Sequence, residues 1–118
     1  MEDIDQPTHY DGQYFHLRSI TCDDIAKYMQ FNLGNAFKYV WRAGRKNGNS
    51  LEKDYSKAIW YLESISDYSA YPDYKTAKAL FDLIDPMHAD PVKYPILSKI
   101  IDGNSYDAIE LIQKVINK

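Results

Sequence analysis

The stretch Leu33-Gly-Asn-Ala-Phe-Lys-Tyr-Val-Trp-Arg-Ala-Gly44 decides the fold class. Leu33, Ala36, Phe37, Val40 and Trp41 recur at steps of three and four, which lays them on one face of a helix. Gly44 stands where a left-handed residue ends a helix. The pattern predicts a helix over about 34–43, whose Gly34-Asn35 start would present free backbone N–H groups, a natural anion site.

The same period repeats on both sides. Upstream, Thr21 reads as an N-cap with Asp23 and Asp24 in the first turn, and Ile25, Tyr28, Met29 and Phe31 follow as an apolar stripe over about 22–31. Downstream, Asn49 and Glu52 have capping-box spacing ahead of a helix over about 50–67, with Leu51, Tyr55, Ala58, Ile59, Leu62 and Ile65 inward. Asp73 caps a helix over about 74–84, with Ala77, Leu80, Phe81 and Ile84 inward. Asp90-Pro91 reads as a further helix start, but Pro95 favours a short helix over about 96–101. Gly103-Asn-Ser105 leads to a last helix over about 106–117. No segment alternates with the period of a strand, and the first twenty residues have no sustained period. The expectation is an all-α protein: one domain over 1–118, a compact bundle of about five to six short helices with an irregular N-terminal arm.

Composition bounds the function. The 118 residues carry a net charge of −3, which argues against a general nucleic-acid coat. The single cysteine, Cys22, excludes an internal disulfide framework. No apolar run is long enough to span a membrane and the acidic start has no leader pattern, so a cytoplasmic setting is expected. Eleven tyrosines against four phenylalanines suit half-wet places such as interfaces and ligand sites.

The charge is unevenly spread. Residues 1–33 hold two bases and six acids, residues 34–61 hold six bases and two acids, and residues 62–118 hold six bases and nine acids. A +4 segment thus lies between flanks of −4 and −3. On a helical wheel Asn35, Lys38, Tyr39 and Arg42 fall within about 100° of each other. Lys38 and Arg42, one turn apart, repel unless something sits between them. On an exposed face such a pair often serves solubility alone; a shared anion turns the repulsion into binding, with Arg offering a bidentate fork to phosphate and Lys a point charge. Arg45 and Lys46, in the turn before the next helix, extend the set. Asp54, Lys57, Ala58 and Tyr61 share a face of that helix. Asp54 and Lys57 there read either as an exposed ion pair or as a Mg²⁺-holding carboxylate beside a phosphate-binding lysine. Tyr39, Trp41, Trp60 and Tyr61 are aromatic candidates for stacking on a base, although a Trp at helical spacing is more often core. The segment is neither a phosphate-binding P-loop nor a dinucleotide fingerprint. His9, His16 and His88 belong to no metal or triad pattern.

Three blocks, Pro7-Thr-His-Tyr10, Gly34-Asn-Ala-Phe-Lys-Tyr-Val-Trp-Arg-Ala-Gly-Arg-Lys46 and Asp54-Tyr-Ser-Lys-Ala-Ile-Trp-Tyr-Leu62, together resemble a small family abundant in phage genomes. Its members are known as a domain of unknown function or as phage nucleotide kinases without a Walker motif, and its named member acts on deoxynucleoside monophosphates. The resemblance covers about 7–62, the basic core; residues 63–118 add helices without a recognised motif. It implies nucleotides as partners, phosphoryl transfer as the activity and a host-cell cytoplasmic setting. The motif positions carried over are Asn35, Lys38, Tyr39, Arg42, Lys46, Asp54 and Lys57.

From their chemistry, Lys38 and Arg42 are expected to act on the transferred phosphate. Asn35, Arg45, Lys46 and Lys57 are expected to bind phosphates, Asp54 to hold Mg²⁺ or serve as a base, and Tyr39 and Tyr61 to contact the nucleotide base. A site for two nucleotides is large for such a chain, which favours a homo-oligomer. Two alternatives stay open. One is a non-catalytic module that sequesters a nucleotide or nucleotide signal of host defence. The other, less well matched, is an all-α nucleoside triphosphate pyrophosphohydrolase, for which Glu52 and Glu63 lack the paired-acid spacing.

Overall fold

The computed structural model describes residues 20–44, 50–65, 73–87 and 89–117. Among them are six α-helices and no strand: α1 (Cys22–Ala26), α2 (Phe31–Arg42), α3 (Leu51–Glu63), α4 (Tyr74–Phe81), α5 (Lys93–Ile101) and α6 (Ser105–Ile116). The protein is all-α, as the periodicity predicts. The N-terminal arm expected over the first twenty residues lies outside the described residues, apart from Ile20.

Helix α2 is the centre of the bundle. It packs against α1, α3 and α5, while α6 covers α3 and α5, and α4 closes against α1 and α5. Its stripe of Leu33, Ala36, Phe37, Val40 and Trp41 is buried as expected. Phe37 touches Trp41 and Phe81 at ring-centroid distances of 5.6 and 6.2 Å, tying α2 to α4. Fully burying a side chain of this size is worth about 1.5–3 kcal/mol, so this face supplies much of the driving force.

Side chains set most of the helix starts. Thr21 and Asp24 form a reciprocal capping box on α1, with bonds of 3.1 and 3.0 Å. Ser50, Asp73 and Asn104 cap α3, α4 and α6. Each such cap contributes about 1 kcal/mol. Asn49, expected as the α3 cap, lies outside the described residues; the adjacent Ser50 does the capping.

The boundaries differ from expectation where local bonding competes with the apolar period. α1 stops at Ala26 instead of reaching 31, because Tyr28 and Met29 turn back onto the carbonyls of Ile25 and Ala26. α2 begins at Phe31, capped by the Gln30 side chain on the Leu33 N–H at 2.9 Å. Gly34 is therefore already inside the helix, its N–H bonded to the Gln30 carbonyl at 2.7 Å, and the free N–H site expected at Gly34-Asn35 is not there. α3 ends at Glu63, short of 67, and Leu51 is exposed rather than inward. α4 ends at Phe81, with Leu83 and Ile84 in tighter turns. α5 starts at Lys93, earlier than Pro95 suggested. Pro95 is its third residue, where the missing N–H would have had no partner within the helix. Asp90 Oδ1 accepts from the N–H groups of Val92 and Lys93 and so starts that helix.

Two glycines take left-handed conformations, Gly44 at φ 75° and Gly103 at φ 76°. At Gly44 an added Cβ would also lie 3.0 Å from Leu51 Cδ1. Gly44→Ala is expected to lower unfolding free energy by about 1–2 kcal/mol in urea titrations, the cost of forcing an L-residue left-handed. Tyr55, buried in the core near Asp90, has its phenol pushed up to about 12, by burial first and by the Asp90 charge second. Its unfolded value is about 10, so its contribution is complete below pH 10 and is lost as pH rises towards 12. Tyr55→Phe should flatten the fall in stability over that window, measured by denaturant midpoints at stepped alkaline pH.

Candidate functional site

α2 and α3 run antiparallel. Asn32 Nδ2 donates to the Ser64 carbonyl at one end (3.4 Å), and the Gly44 N–H donates to Asp54 Oδ2 at the other (3.3 Å). This register brings the outward faces of the two helices side by side and sets Tyr39 against Tyr61. Their rings stack at 5.8 Å between centroids and 16° between planes.

Cations gather on this stack. The Arg42 guanidinium lies 4.5 Å from the Tyr39 ring centroid, the Lys57 ammonium 5.4 Å and the Lys38 ammonium 5.9 Å. Lys38 and Arg42 come from α2, Lys57 from α3. Each contact with the negative ring face contributes about 0.5–1 kcal/mol at an exposed site. No carboxylate pairs with any of the three among the described residues; the side-chain ion pairs found there, Lys78–Asp82, Lys78–Asp102 and Lys99–Asp107, sit on the α4–α6 side. The Nε of Arg42 is buried without a hydrogen-bond partner. Three positive groups around one ring, with one guanidinium donor unused, make a place that attracts an anion.

A cavity of about 210 Å³ adjoins the cluster between α1 and α2. Lys27, Phe31, Gly34, Asn35 and Lys38 contribute to its walls, together with Asp23. Gly34 allows this close approach: a Cβ there would stand 3.1 Å from the Ala26 carbonyl oxygen. Lys38 faces both the cavity and the tyrosine stack. Asn35 donates from Nδ2 to the Phe31 carbonyl at 2.9 Å.

The expected site residues therefore divide. Lys38, Tyr39, Arg42, Lys57 and Tyr61 come together, and Asn35 stands beside them at the cavity. Arg45 and Lys46 lie outside the described residues, as do His9, His16 and His88. Asp54 faces the other way: it is fully buried, with Oδ2 on the Gly44 N–H and Oδ1 without a partner. The Asp54–Lys57 ion pair weighed from the sequence is not formed; Lys57 is exposed and turns to Tyr39 instead. Trp41 is buried in the core, its indole N–H without a partner, while Trp60 is 62% exposed.

Mg²⁺ keeps several waters and binds proteins through carboxylates that can reach it in solvent. Asp54, sealed in the core, does not fit that role as placed; its geometry fits a residue that holds the backbone at Gly44. No group of three or more His, Cys, Asp or Glu side chains is arranged for a metal among the described residues.

Sequence reasoning missed Lys93. This lysine is buried, and its Nζ donates to the Trp41 carbonyl at 3.0 Å. The signal was available: Lys93 falls in register with the inward stripe of Ile96, Leu97, Ile100 and Ile101. Lys27 was missed too, because nothing in the pattern says that α1 folds back over Gly34.

A family model described as a protein of unknown function, DUF3310, matches residues 4–63. The chain belongs to this family. The match takes in α1, α2 and α3, and with them every described cation of the cluster. No curated protein and no solved structure matches the chain. The two matched helices that carry the cluster are thus held in register by Asp54. Asp54→Ala is expected to cost about 1–3 kcal/mol of stability by removing the buried carboxylate that accepts the Gly44 N–H. Asp54→Asn, which keeps an acceptor oxygen, should cost less in the same chemical-denaturation measurement.

Proposed function

We propose that this protein binds nucleotides. Lys38, Arg42 and Lys57 take the phosphates, and the Tyr39–Tyr61 stack receives the base. The observation behind the reading is the tyrosine stack ringed by three cations that no described carboxylate neutralises. A phosphate placed among them would relieve the repulsion between Lys38 and Arg42 and find a donor in the guanidinium of Arg42. Asn35 and Lys27 extend the polar lining on the α1 side.

The resemblance to phage nucleotide kinases makes phosphoryl transfer to a nucleoside monophosphate the reaction to seek. Such transfer depends mostly on positioning and charge neutralisation, which clustered Lys and Arg side chains supply. The magnesium it requires would enter with the triphosphate, on the nucleotide's own oxygens. The burial of Asp54 favours a second reading, binding without turnover, since that function needs the cations and no metal-holding acid.

Incubation with a panel of nucleoside mono- and triphosphates plus Mg²⁺, followed by mass analysis of products and retained ligands, separates the two. A phosphorylated monophosphate supports the kinase, retention of unchanged nucleotide supports the binding module, and finding neither product nor retained nucleotide removes both. Arg42→Ala should weaken nucleotide binding by roughly tenfold or more, the effect of losing a charged hydrogen bond. If transfer occurs, Asp54→Asn decides the role of that residue: lost turnover with retained binding makes it part of the chemistry, and unchanged turnover confines it to holding the Gly44 turn.

A further inference from the structure

Beside the cation cluster, towards the N-terminal end of α2, lies a second group of aromatic rings. Tyr61 is its hub. The Trp60 ring meets it edge-on at 5.1 Å and the Phe31 ring at 6.4 Å, while Tyr39 stacks on its flat side. Phe31 is 72% exposed and Trp60 62% exposed, so two large apolar rings face solvent beside a positively charged strip. From Phe31 to Arg42 the strip follows α2 for roughly 16 Å, at 1.5 Å per residue. One nucleotide, with its base on the tyrosine stack, leaves Phe31 and Trp60 uncovered.

Exposed aromatic rings beside a cluster of cations that no described carboxylate pairs are what a single-stranded nucleic acid needs. Its bases stack on any ring regardless of sequence, and its phosphates follow the charges. A second copy of this chain would have to bring its own three cations towards these, or a carboxylate surface to meet them; the charge of the strip favours a polyanion. We propose that the α2–α3 face binds a short single-stranded oligonucleotide, with one base on the tyrosine stack, a neighbouring base on Trp60 or Phe31, and the linking phosphates on Lys57, Lys38 and Arg42. The proposal rests on the nucleotide-binding reading and enlarges its ligand from one nucleotide to several. It stays consistent with the acidic chain as a whole: three cations can hold a short segment but cannot coat a long strand.

Trp60 is a natural reporter, since the chain has two tryptophans and the other, Trp41, is buried. The test titrates the full chain with thymidine monophosphate and with oligothymidylates of about four and eight nucleotides, lengths typical of single-strand grooves. Trp60 emission is read alongside the anisotropy of end-labelled oligonucleotide. Expected are quenching by the oligonucleotides, binding roughly tenfold or more tighter than the mononucleotide, and a salt slope of log K near about −2 for three phosphates. Trp60→Ala should bring oligonucleotide affinity down towards that of the mononucleotide and leave mononucleotide binding unchanged; Trp60→Phe, which keeps a ring, should restore it.

Mononucleotide binding with no gain from length would overturn the oligonucleotide proposal and leave the nucleotide reading standing. No binding of either ligand would overturn both. If sedimentation instead shows a dimer that Trp60→Ala turns into a monomer, the face belongs to a second copy and the proposal fails.

Discussion

The end of α2 is the constraint on which the rest depends. A helix finishes with carbonyl groups that have no partner in the helix, and water normally serves them. α2 is enclosed by three other helices, and Trp41 near its end is buried, so water has little access to the Trp41 carbonyl, while Gly44 just beyond is exposed. The chain answers the carbonyl with one charged side chain and holds the turn beyond it with a second. Lys93, from α5, donates its ammonium to the Trp41 carbonyl, and Asp54, from α3, receives the N–H of the left-handed Gly44. Charged partners make these bonds stronger than neutral ones, and their burial makes losing them costly. Three helices are thereby fixed around one terminus, and with it the rotation of α2 about its axis. That rotation sends Phe37, Val40 and Trp41 inward and leaves Lys38, Tyr39 and Arg42 at the edge facing α3.

This arrangement separates two kinds of charge in the same short segment. Asp54 and Lys57 are neighbours on a helix face in the sequence, yet one turns into the core to hold backbone and the other turns out to a tyrosine ring. Around Tyr39 the positive groups then stand without the acid that the sequence placed closest to them. The chain is acidic overall, but at physiological salt a charge is felt over about 8 Å. An approaching phosphate therefore meets the local cluster more than the charge of the whole chain.

The sequence told a good deal of this and missed the rest for physical reasons. The apolar period of Leu33 to Trp41 and the glycine at 44 are local signals, and they were readable because packing agreed with them. Helix starts were harder. Gln30 caps a helix expected to start only at Gly34, and Ser50 caps where Asn49 was expected, because a cap depends on one side-chain bond whereas the period spans several residues. Pro95 shows the same limit: it breaks a helix in the middle and is harmless in the first turn, and only the boundary says which applies. At the site, Lys38, Arg42 and Tyr39 were legible as one face of one helix. Their meeting with Lys57 and Tyr61 was not, because it requires the antiparallel register of α2 and α3. The depth of Asp54 was hidden for the same reason: a carboxylate on a helix reads as available until its burial is known.

The covering of α2 has a consequence for how the family can vary. The matched segment stops at residue 63, yet α2 leans on α5 and α3 leans on α6, both beyond it. The matched segment is therefore only part of the packed unit described here. A relative that keeps the first three helices and drops the last three would bare the side of α2 that α5 seals and would lose the ammonium that Lys93 supplies. Such a protein would have to find that cover in an unrelated tail or in a neighbouring subunit. Whatever sequence the second half of such a chain carries, it has to seal that same side of α2.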